Sequence, residues 1–235
     1  MSGPESSIHL RPTAELAERV LLPGDPGRAL MLAQLLLEKP LMFNHHRGLW
    51  GYTGVCSDGE LLTIQSTGMG GPSAAIVLTE LIALGVRSAI RVGTCGALAA
   101  GLELGGLLVA TGAICADGTS TALGAREHVS ADRALTQRLL AAAPEAHSGP
   151  VVSVDLFYDD RDIHSLPGVS DALAVEMEAA TLFAIGARTG VPVACLLIVS
   201  DTFRPGGERV RIHDDSLLAA AEAMGRAAVR ALQIR

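Results

Sequence analysis

The sequence of 235 residues predicts a single α/β domain with a mixed, mostly parallel central sheet flanked by helices. Two observations support this class. Short apolar runs suited to buried strands alternate with longer helical patterns along the chain. The length fits one large domain, and no linker or internal repeat divides residues 1–235. Hydrophobic residues make up 49% of the chain, which excludes a disordered protein.

The first half of the chain begins with a short apolar run and is punctuated by glycine-rich turns. The helix over residues 73–84 is apolar nearly all round, so we expect it to be buried and to end at Gly85. The elements predicted here are a strand over 19–22, a helix over 28–37, a hairpin over 51–65 that turns at 57–59, the helix over 73–84, and a strand over 89–92.

The second half continues the alternation. The predicted elements are strands over 107–111, 151–154 and 193–199, and helices over 131–143, 178–189 and 216–232. Residues 112–130 and 159–171 are expected to be loops. The segment 203–215 is predicted to be a mobile flap because of its glycine, proline and arginine residues, which are Arg204, Pro205, Gly206, Gly207, Arg209 and Arg211.

Charge and cysteine usage exclude several classes of protein. The net charge is −7 with no basic cluster, which argues against a nucleic-acid partner. The four cysteines form no metal-binding or disulfide spacing, so reduced thiols and no metal site are expected. The start of the chain lacks a signal-peptide pattern, and the apolar stretch 191–199 is shorter than the roughly 20 residues of a membrane span. We expect a cytoplasmic protein.

Three apolar runs end at glycine-rich turns that have an arginine within reach, over residues 20–28, 61–73 and 90–96. Glycine lets backbone N–H groups approach a ligand, and a following helix N-terminus favours an anion. Arg28 and Arg91 supply full positive charges. Arg91 is the more informative of the two, because an arginine within an apolar strand needs a partner. The pattern predicts an enzyme that binds phosphate and a small molecule.

Three motifs together resemble the nucleoside phosphorylase family over nearly the whole chain. They are Pro-Gly-Asp-Pro-Gly-Arg over 23–28, Arg-Val-Gly-Thr-Cys-Gly over 91–96 and Val-Glu-Met-Glu-Ala over 175–179. The resemblance implies a phosphorylase/hydrolase-like fold. It also implies a phosphate subsite formed by Gly24, Arg28, Arg91 and Thr94, with Arg47 donated across a subunit interface.

The resemblance further implies a ribose subsite. Glu178 is expected to bind the ribose hydroxyls, with Met177 and Met69 beside the sugar, and His9 is expected to reach the 5′-hydroxyl of a neighbouring subunit's ligand. Without the surrounding motif, Glu178 is better explained as a negative charge at a helix N-terminus and His9 as a solvated residue near a chain end. Arg28 and Arg47, taken singly, are equally well explained as solvated surface residues.

The base subsite is expected at the end of the strand 193–199. Asp201 follows this strand, where ligands bind in open α/β sheets, and the resemblance makes it the acid that protonates purine N7. An assisting arginine is assigned to Arg209, with Arg211 as the alternative. The expected base-lining residues are Cys95, Gly96, Phe157, Val175 and Ser200. A turn-forming role for Asp201 and core packing of Phe157 are the structural alternatives.

Purine is favoured over pyrimidine because Tyr158 is followed by residues 159–162 without the Gln-x-Arg of uridine-cleaving relatives. The resemblance implies reversible phosphorolysis of purine (deoxy)ribonucleosides, 6-aminopurines included, with phosphate as co-substrate and no cofactor. A uridine-type phosphorylase, a nucleosidase that uses water, and a non-catalytic nucleoside-binding protein are the alternatives. A homo-oligomer with shared active sites is expected, with a hexamer common among such relatives.

Overall fold

A computed structural model describes residues 7–166, 168–203 and 209–233, apart from the side chains of His164 and Phe203. The helices are α1 (Pro26–Leu36), α2 (Gly71–Ala83), α3 (Gly118–Ala122), α4 (Arg133–Ala142), α5 (Ala179–Thr189) and α6 (Asp214–Leu232). Short 3-10 turns cover His46–Gly48, Ile163–Ser165 and Val169–Asp171. The described helices do not include one with both the length and the apolar character needed to cross a bilayer.

The strands form a single eleven-stranded sheet. They are β1 (Arg19–Leu22), β2 (Glu38–Asn44), β3 (Gly51–Val55), β4 (Leu61–Gln65), β5 (Ser88–Ala97), β6 (Leu107–Ala116), β7 (His128–Ser130), β8 (His147–Val154), β9 (Ala174–Glu176), β10 (Val193–Phe203) and β11 (Arg209–Arg211). Their order is β11-β10-β6-β8-β9-β5-β1-β4-β3-β2, with β7 beside β6. Parallel and antiparallel pairs both occur, so the sheet is mixed.

Strand β5 belongs to two parts of the sheet. Its first residues pair with β1, and this pairing ends where Leu22 lies opposite Arg91. Its last residues pair with β9 along the same edge, and this pairing begins where Gly96 lies opposite Val175. Because β10 pairs with β5 as well as with β6, the strands β5, β10, β6, β8 and β9 close a ring. Strands β1 and β9 therefore diverge along β5, and they leave a crevice where ligands of α/β sheets commonly bind.

The core lies on both faces of the sheet. In β5, Ala89 and Cys95 contribute to the apolar cluster shared with α2 and α5, whereas Ile90 and Val92 contribute to the cluster shared with α1, α4 and α6. This alternation follows from the two-residue period of a strand. Helices α1 and α6 approach closely because Gly225 has no side chain: a Cβ there would lie 2.6 Å from Leu32.

The structure confirms the mixed α/β class and most predicted elements, with several differences. Helix α1 begins two residues early, at Pro26, because the Asp25 carboxylate accepts the Arg28 N–H at 2.6 Å and caps it. Residues 112–130 are not a loop, since they hold the end of β6, α3 and β7. Strands β2 and β9 were not predicted. Part of the predicted flap, residues 204–208, lies outside the described residues, and 209–211 form β11.

Candidate active site

The turn after β1 lies directly beside Arg91. It is held to the segment after β4 by backbone hydrogen bonds from Thr67 to Pro23 and from Gly68 to Gly24, at 2.9 and 3.0 Å. A Cβ on Gly24 would lie 3.2 Å from the Gly68 carbonyl oxygen and 4.0 Å from Arg91 Nη1. Glycine at position 24 therefore leaves the backbone of this turn open toward the guanidinium group.

Arg91 is buried at 4% exposure and is the centre of the site. Its Nη2 donates to the Glu178 carboxylate, and its Nε lies 3.4 Å from Glu176 Oε2. The side chain folds back over Gly93, where a Cβ would come within 2.9 Å of the guanidinium carbon. Burial opposes the charge, but Glu178 and then Glu176 outweigh it and raise the pKa of Arg91.

One part of the Arg91 guanidinium is left unsatisfied. Within the described residues, Nε and Nη1 are buried and have no hydrogen-bond partner. Buried donors are rarely left in this state, and each one costs about 1–3 kcal/mol. Since Nη1 faces the Gly24 turn, it is placed to donate to an anion bound at that turn.

Glu176 and Glu178 serve different purposes, although both contact Arg91. Glu176 accepts the Ser153 hydroxyl and the backbone N–H groups of Glu178 and Ala179, at 2.8 and 2.9 Å for the two backbone donors. Burial raises the pKa of Glu176, with Arg91 opposing that effect. These contacts fix the start of α5. The sequence motif predicted the importance of Glu178 but not the structural role of Ser153.

Glu178 joins the Gly-Met-Gly turn to β5. Its Oε1 accepts the Gly70 N–H at 2.7 Å, and its Oε2 accepts from Arg91. Gly70 has φ of +86°, a backbone conformation that favours glycine. Met69, in the same turn, is 87% exposed, and Met177 is half-buried. The ribose roles of Glu178, Met69 and Met177 stay predictions, but the structure brings Glu178 to the turn that carries Met69.

Asp201 lies at the other end of the crevice, past an irregularity in the pairing of β10 with β5. It is buried, and it accepts the Ser200 hydroxyl at 2.6 Å and Arg209 Nε at 2.9 Å. Arg211 Nη1 is 3.9 Å from the same carboxylate. Both arginines named at the sequence level therefore approach Asp201, and Arg209 makes the hydrogen bond. The simple turn-forming alternative does not explain these contacts.

The residues expected to line the base surround Asp201. Arg209 lies over the Phe157 ring with 4.4 Å between the guanidinium carbon and the ring centroid. Phe157 is 50% exposed, which excludes core packing as its role. A Cβ on Gly96 would touch Val175 at 3.3 Å and Asp201 at 4.0 Å, so Gly96 separates these two side chains.

Cys95 is a structural thiol rather than a reactive one. It is buried, and its Sγ donates to the Ile198 carbonyl oxygen. Burial strongly raises the pKa of Cys95, which keeps it neutral at pH 7. Its backbone is the part that faces the site, since the Cys95 carbonyl lies 3.2 Å from the Ser200 hydroxyl.

Arg28 makes no ion pair with a side chain of the described residues. Its side chain is half-buried, and its guanidinium has no hydrogen bond to the described part of the chain. Burial first, and then the positive charges of Arg91 and Arg211, lower the pKa of Arg28, with Asp25 opposing them. Thr94 is also half-buried, on the stretch of β5 between its β1 and β9 partners. The positive charges of Arg91 and Arg211 are therefore felt at Arg28, where an anion is expected.

His9 and Arg47 stand apart from this group. The His9 ring and the N–H groups of Ile8, His9 and Leu10 bind the buried Glu80, with 2.7 Å from His9 Nδ1 to Oε1. Burial raises the pKa of Glu80, but these hydrogen-bond donors together lower it below its ordinary value, and the Leu10 N–H has the largest effect among them. Arg47 is exposed, has φ of 59°, and makes no ion pair with a described residue. The roles of His9 and Arg47 across a subunit interface stay predictions.

The fold and site define an α/β protein in which unbonded donors of the buried Arg91 and the buried carboxylate of Asp201 lie along one strand crossing, β5 with β1, β9 and β10. Residues 18–234 match the phosphorylase superfamily. A guanosine phosphorylase from Halorubrum lacusprofundi is 39% identical over 210 residues, which cover 86% of each chain.

Two bacterial relatives are similar to a comparable degree. A purine nucleoside phosphorylase DeoD-type from Alkaliphilus metalliredigens is 38% identical, over 86% of this chain and 90% of its own. One from Clostridium novyi is 37% identical, over 83% of this chain and 86% of its own. The chain therefore belongs to the phosphorylase superfamily.

The buried ionic cluster predicts a large stability effect at Arg91. Arg91→Met leaves Glu176 and Glu178 without their cation, and breaking such a buried pair costs about 3–5 kcal/mol. Urea unfolding at pH 7 is expected to show this loss, and adding Glu178→Gln is expected to recover part of it.

Arg226→Met is the matched control for this measurement. It removes an exposed ion pair with Glu222, and such pairs are worth less than about 1 kcal/mol. A free energy of unfolding for Arg91→Met equal to that of the control variant would show that the buried cluster does not stabilise the fold.

Proposed function

We propose that this protein is a purine nucleoside phosphorylase, which converts a purine (deoxy)ribonucleoside and phosphate to the free base and (deoxy)ribose 1-phosphate. The observation that carries the proposal is the buried Arg91, which is bonded to Glu178 on one side while its unbonded Nη1 faces the Gly24 turn. A single guanidinium thus connects the expected ribose ligand with the expected phosphate position. The names of the purine-specific relatives support the same substrate class.

Phosphate is held in this proposal by Arg28, Arg91, Thr94 and the backbone at Gly24. Phosphate carries about two negative charges at neutral pH, and charge-assisted hydrogen bonds to arginine contribute about 1.5–3 kcal/mol each. Arg28 and Arg91 Nη1 both have donors that the described residues leave unused. Binding the anion satisfies them and relieves the repulsion between their charges.

In the reaction, a phosphate oxygen forms a bond to C1′ as the glycosidic C1′–N9 bond breaks. The bonding electron pair moves into the purine, and Asp201, in its protonated form, gives its proton to N7. Ser200 and Arg209 then stabilise the carboxylate that remains. Glu178 fixes the ribose hydroxyls during this displacement. Inorganic phosphate is a co-substrate, and the absence of a metal or cofactor requirement stays a prediction, as does a cytoplasmic location.

Base selection is proposed to depend on Asp201 and on the segment around Phe157. The exposed face of Phe157 offers a stacking surface, and Asp201 is the proton donor that a 6-aminopurine needs more than a 6-oxopurine does. Acceptance of 6-aminopurines is part of the proposal. A uridine-type activity is disfavoured by the missing Gln-x-Arg, and a nucleosidase does not require the unbonded arginine donors beside Gly24.

Asp201→Asn tests the acid role. The adenine anion is a poorer leaving group than the hypoxanthine anion, so its departure depends more on protonation. General acids contribute about 10²–10⁴-fold. We expect kcat/KM for adenosine to fall at least about 100-fold and that for inosine to fall less than about tenfold, in base-release assays with phosphate.

Asp171→Asn, a change at an exposed residue, is the control. Its activity on both nucleosides is expected to equal that of the wild type. The same assay without phosphate tests the reaction class, because wild-type turnover is expected to cease. Persisting turnover would indicate hydrolysis, and equal small losses on adenosine and inosine would rule out the acid role of Asp201.

We also propose that the protein forms a homohexamer built from dimers. In each dimer, Arg47 and His9 of one subunit complete the site of its neighbour. Arg47 has no partner among the described residues, and the apolar side chains of Leu41, Met42 and Trp50 are exposed on the same part of the chain. An arginine held in a left-handed conformation beside exposed apolar groups is consistent with a surface that contacts a second copy.

Mixing two inactive variants tests the shared site. Arg47→Ala and Asp201→Asn are each expected to lack activity on adenosine. In a mixed dimer, one of the two sites has both native residues. Because random mixing makes about half of the dimers mixed, turnover is expected to return to about a quarter of the wild-type value. Co-expression provides the mixed oligomers. If a verified mixed oligomer shows no restored activity, Arg47 does not contribute to the neighbour's site.

A further inference from the structure

Arg211 has no role in the reaction as proposed so far, yet its side chain lies at the site. In the antiparallel pairing of β11 with β10, Arg211 is opposite Asp201 and Arg209 is opposite Phe203. Because strand side chains alternate, Arg209 and Arg211 emerge on one face of β11. Both approach Asp201, but Arg209 Nε hydrogen-bonds it at 2.9 Å, whereas Arg211 Nη1 stays 3.9 Å away.

Parallel strands bring Arg211 and Arg28 to the same edge of the sheet. Strands β1 and β10 both pair with β5 in the parallel direction, so their C-terminal ends lie at one edge. Arg28 is in the first turn of α1, which follows β1, and Arg211 is paired opposite Asp201 near the end of β10. The positive charge of Arg211 is felt at Arg28, where it helps to lower the pKa of that guanidinium.

Two arginines approach the single carboxylate of Asp201. The Asp201 carboxylate already accepts hydrogen bonds from Ser200 and Arg209, so Arg211 is a second cation next to one carboxylate. Its side chain is 65% exposed, and no hydrogen bond to the described chain fixes it. Arg28 and Arg91 Nη1 also have donors that make no hydrogen bond to a described residue.

We propose that Arg211 is a further phosphate-binding residue, which turns from Asp201 toward the anion held between Arg28 and Arg91. The ligand chemistry is a tetrahedral dianion, phosphate in the forward reaction and the phosphate group of the sugar 1-phosphate in the reverse one. The assignment rests on the proposed function for its place in catalysis. It adds a cation from β11 to an anion site that the motifs place on β1, β5 and their turns.

The alternative role for Arg211 is to support Asp201 alone, and the two roles give different kinetics. A phosphate ligand affects the KM and Kd for phosphate, whereas a residue that acts through Asp201 affects kcat. Arg211→Gln removes the charge from an exposed side chain and is not expected to disturb folding. Arg211→Lys keeps the charge, and Arg226→Gln removes a charge from an exposed ion pair of α6 as the matched control.

Steady-state kinetics with inosine and direct calorimetric titration with inorganic phosphate provide the test. We expect Arg211→Gln to raise both the KM and the Kd for phosphate at least about tenfold, which corresponds to about 1.4 kcal/mol. The kcat at saturating phosphate and the KM for inosine are expected to stay within about threefold. Arg211→Lys is expected to recover most of the affinity, and Arg226→Gln is expected to match the wild type.

Two results would overturn the assignment: a phosphate Kd for Arg211→Gln within about twofold of the wild type, or a fall in kcat with phosphate affinity unchanged. The calorimetric arm also separates this inference from the proposed function. Wild-type turnover without phosphate would refute phosphorolysis, while weaker phosphate binding by Arg211→Gln would still support the anion role.

Discussion

Burying the Arg91 guanidinium is the constraint on which the rest of the site depends. A charge taken out of water needs opposite charges and hydrogen-bond partners nearby. Glu178 and Glu176 supply the charges, and Gly93 supplies the space in which the side chain folds back. Glu176 is in turn held by Ser153 and by the first N–H groups around α5, so one buried cation determines how β5, β9 and α5 meet.

The sheet makes this arrangement possible because β5 changes its neighbour. It leaves β1 after Arg91 and joins β9 at Gly96, so the intervening residues border a crevice on this edge, while β10 pairs with their other edge. The β1 turn with Arg28 bounds the crevice on one side, and Asp201 with Arg209 lies beyond Gly96. The proposed phosphorolysis requires an anion at one end of the crevice and a proton donor at the other, and the residues proposed for these two roles come from elements distant in sequence.

Much of this was predictable from the sequence. The spacing of apolar residues and the positions of glycines predict strand β1, the hairpin of β3 and β4, and the buried helix α2. Strand β9 was not predictable because three residues give too short a pattern, and exposed β2 lacks apolar alternation. The motifs identified Arg91 and Glu178, and the end of the strand over 193–199 identified Asp201. The Arg91–Glu178 bond, however, joins residues 87 positions apart, which spacing does not reveal. The proposed roles of His9 and Arg47 need a second copy of the chain, so the contacts within one chain could not reveal them.

The position of phosphate in a crystal of the protein tests the central claim most directly. Crystals grown with inorganic phosphate and a non-cleavable purine nucleoside analogue are expected to show the anion within hydrogen-bond distance of Arg28, of Arg91 Nη1 and of the backbone at Gly24. Glu178 is expected to keep its bond to Arg91 while it binds the ribose hydroxyls. A phosphate bound elsewhere, or an Arg91 Nη1 that remains without a partner in the complex, would contradict the account.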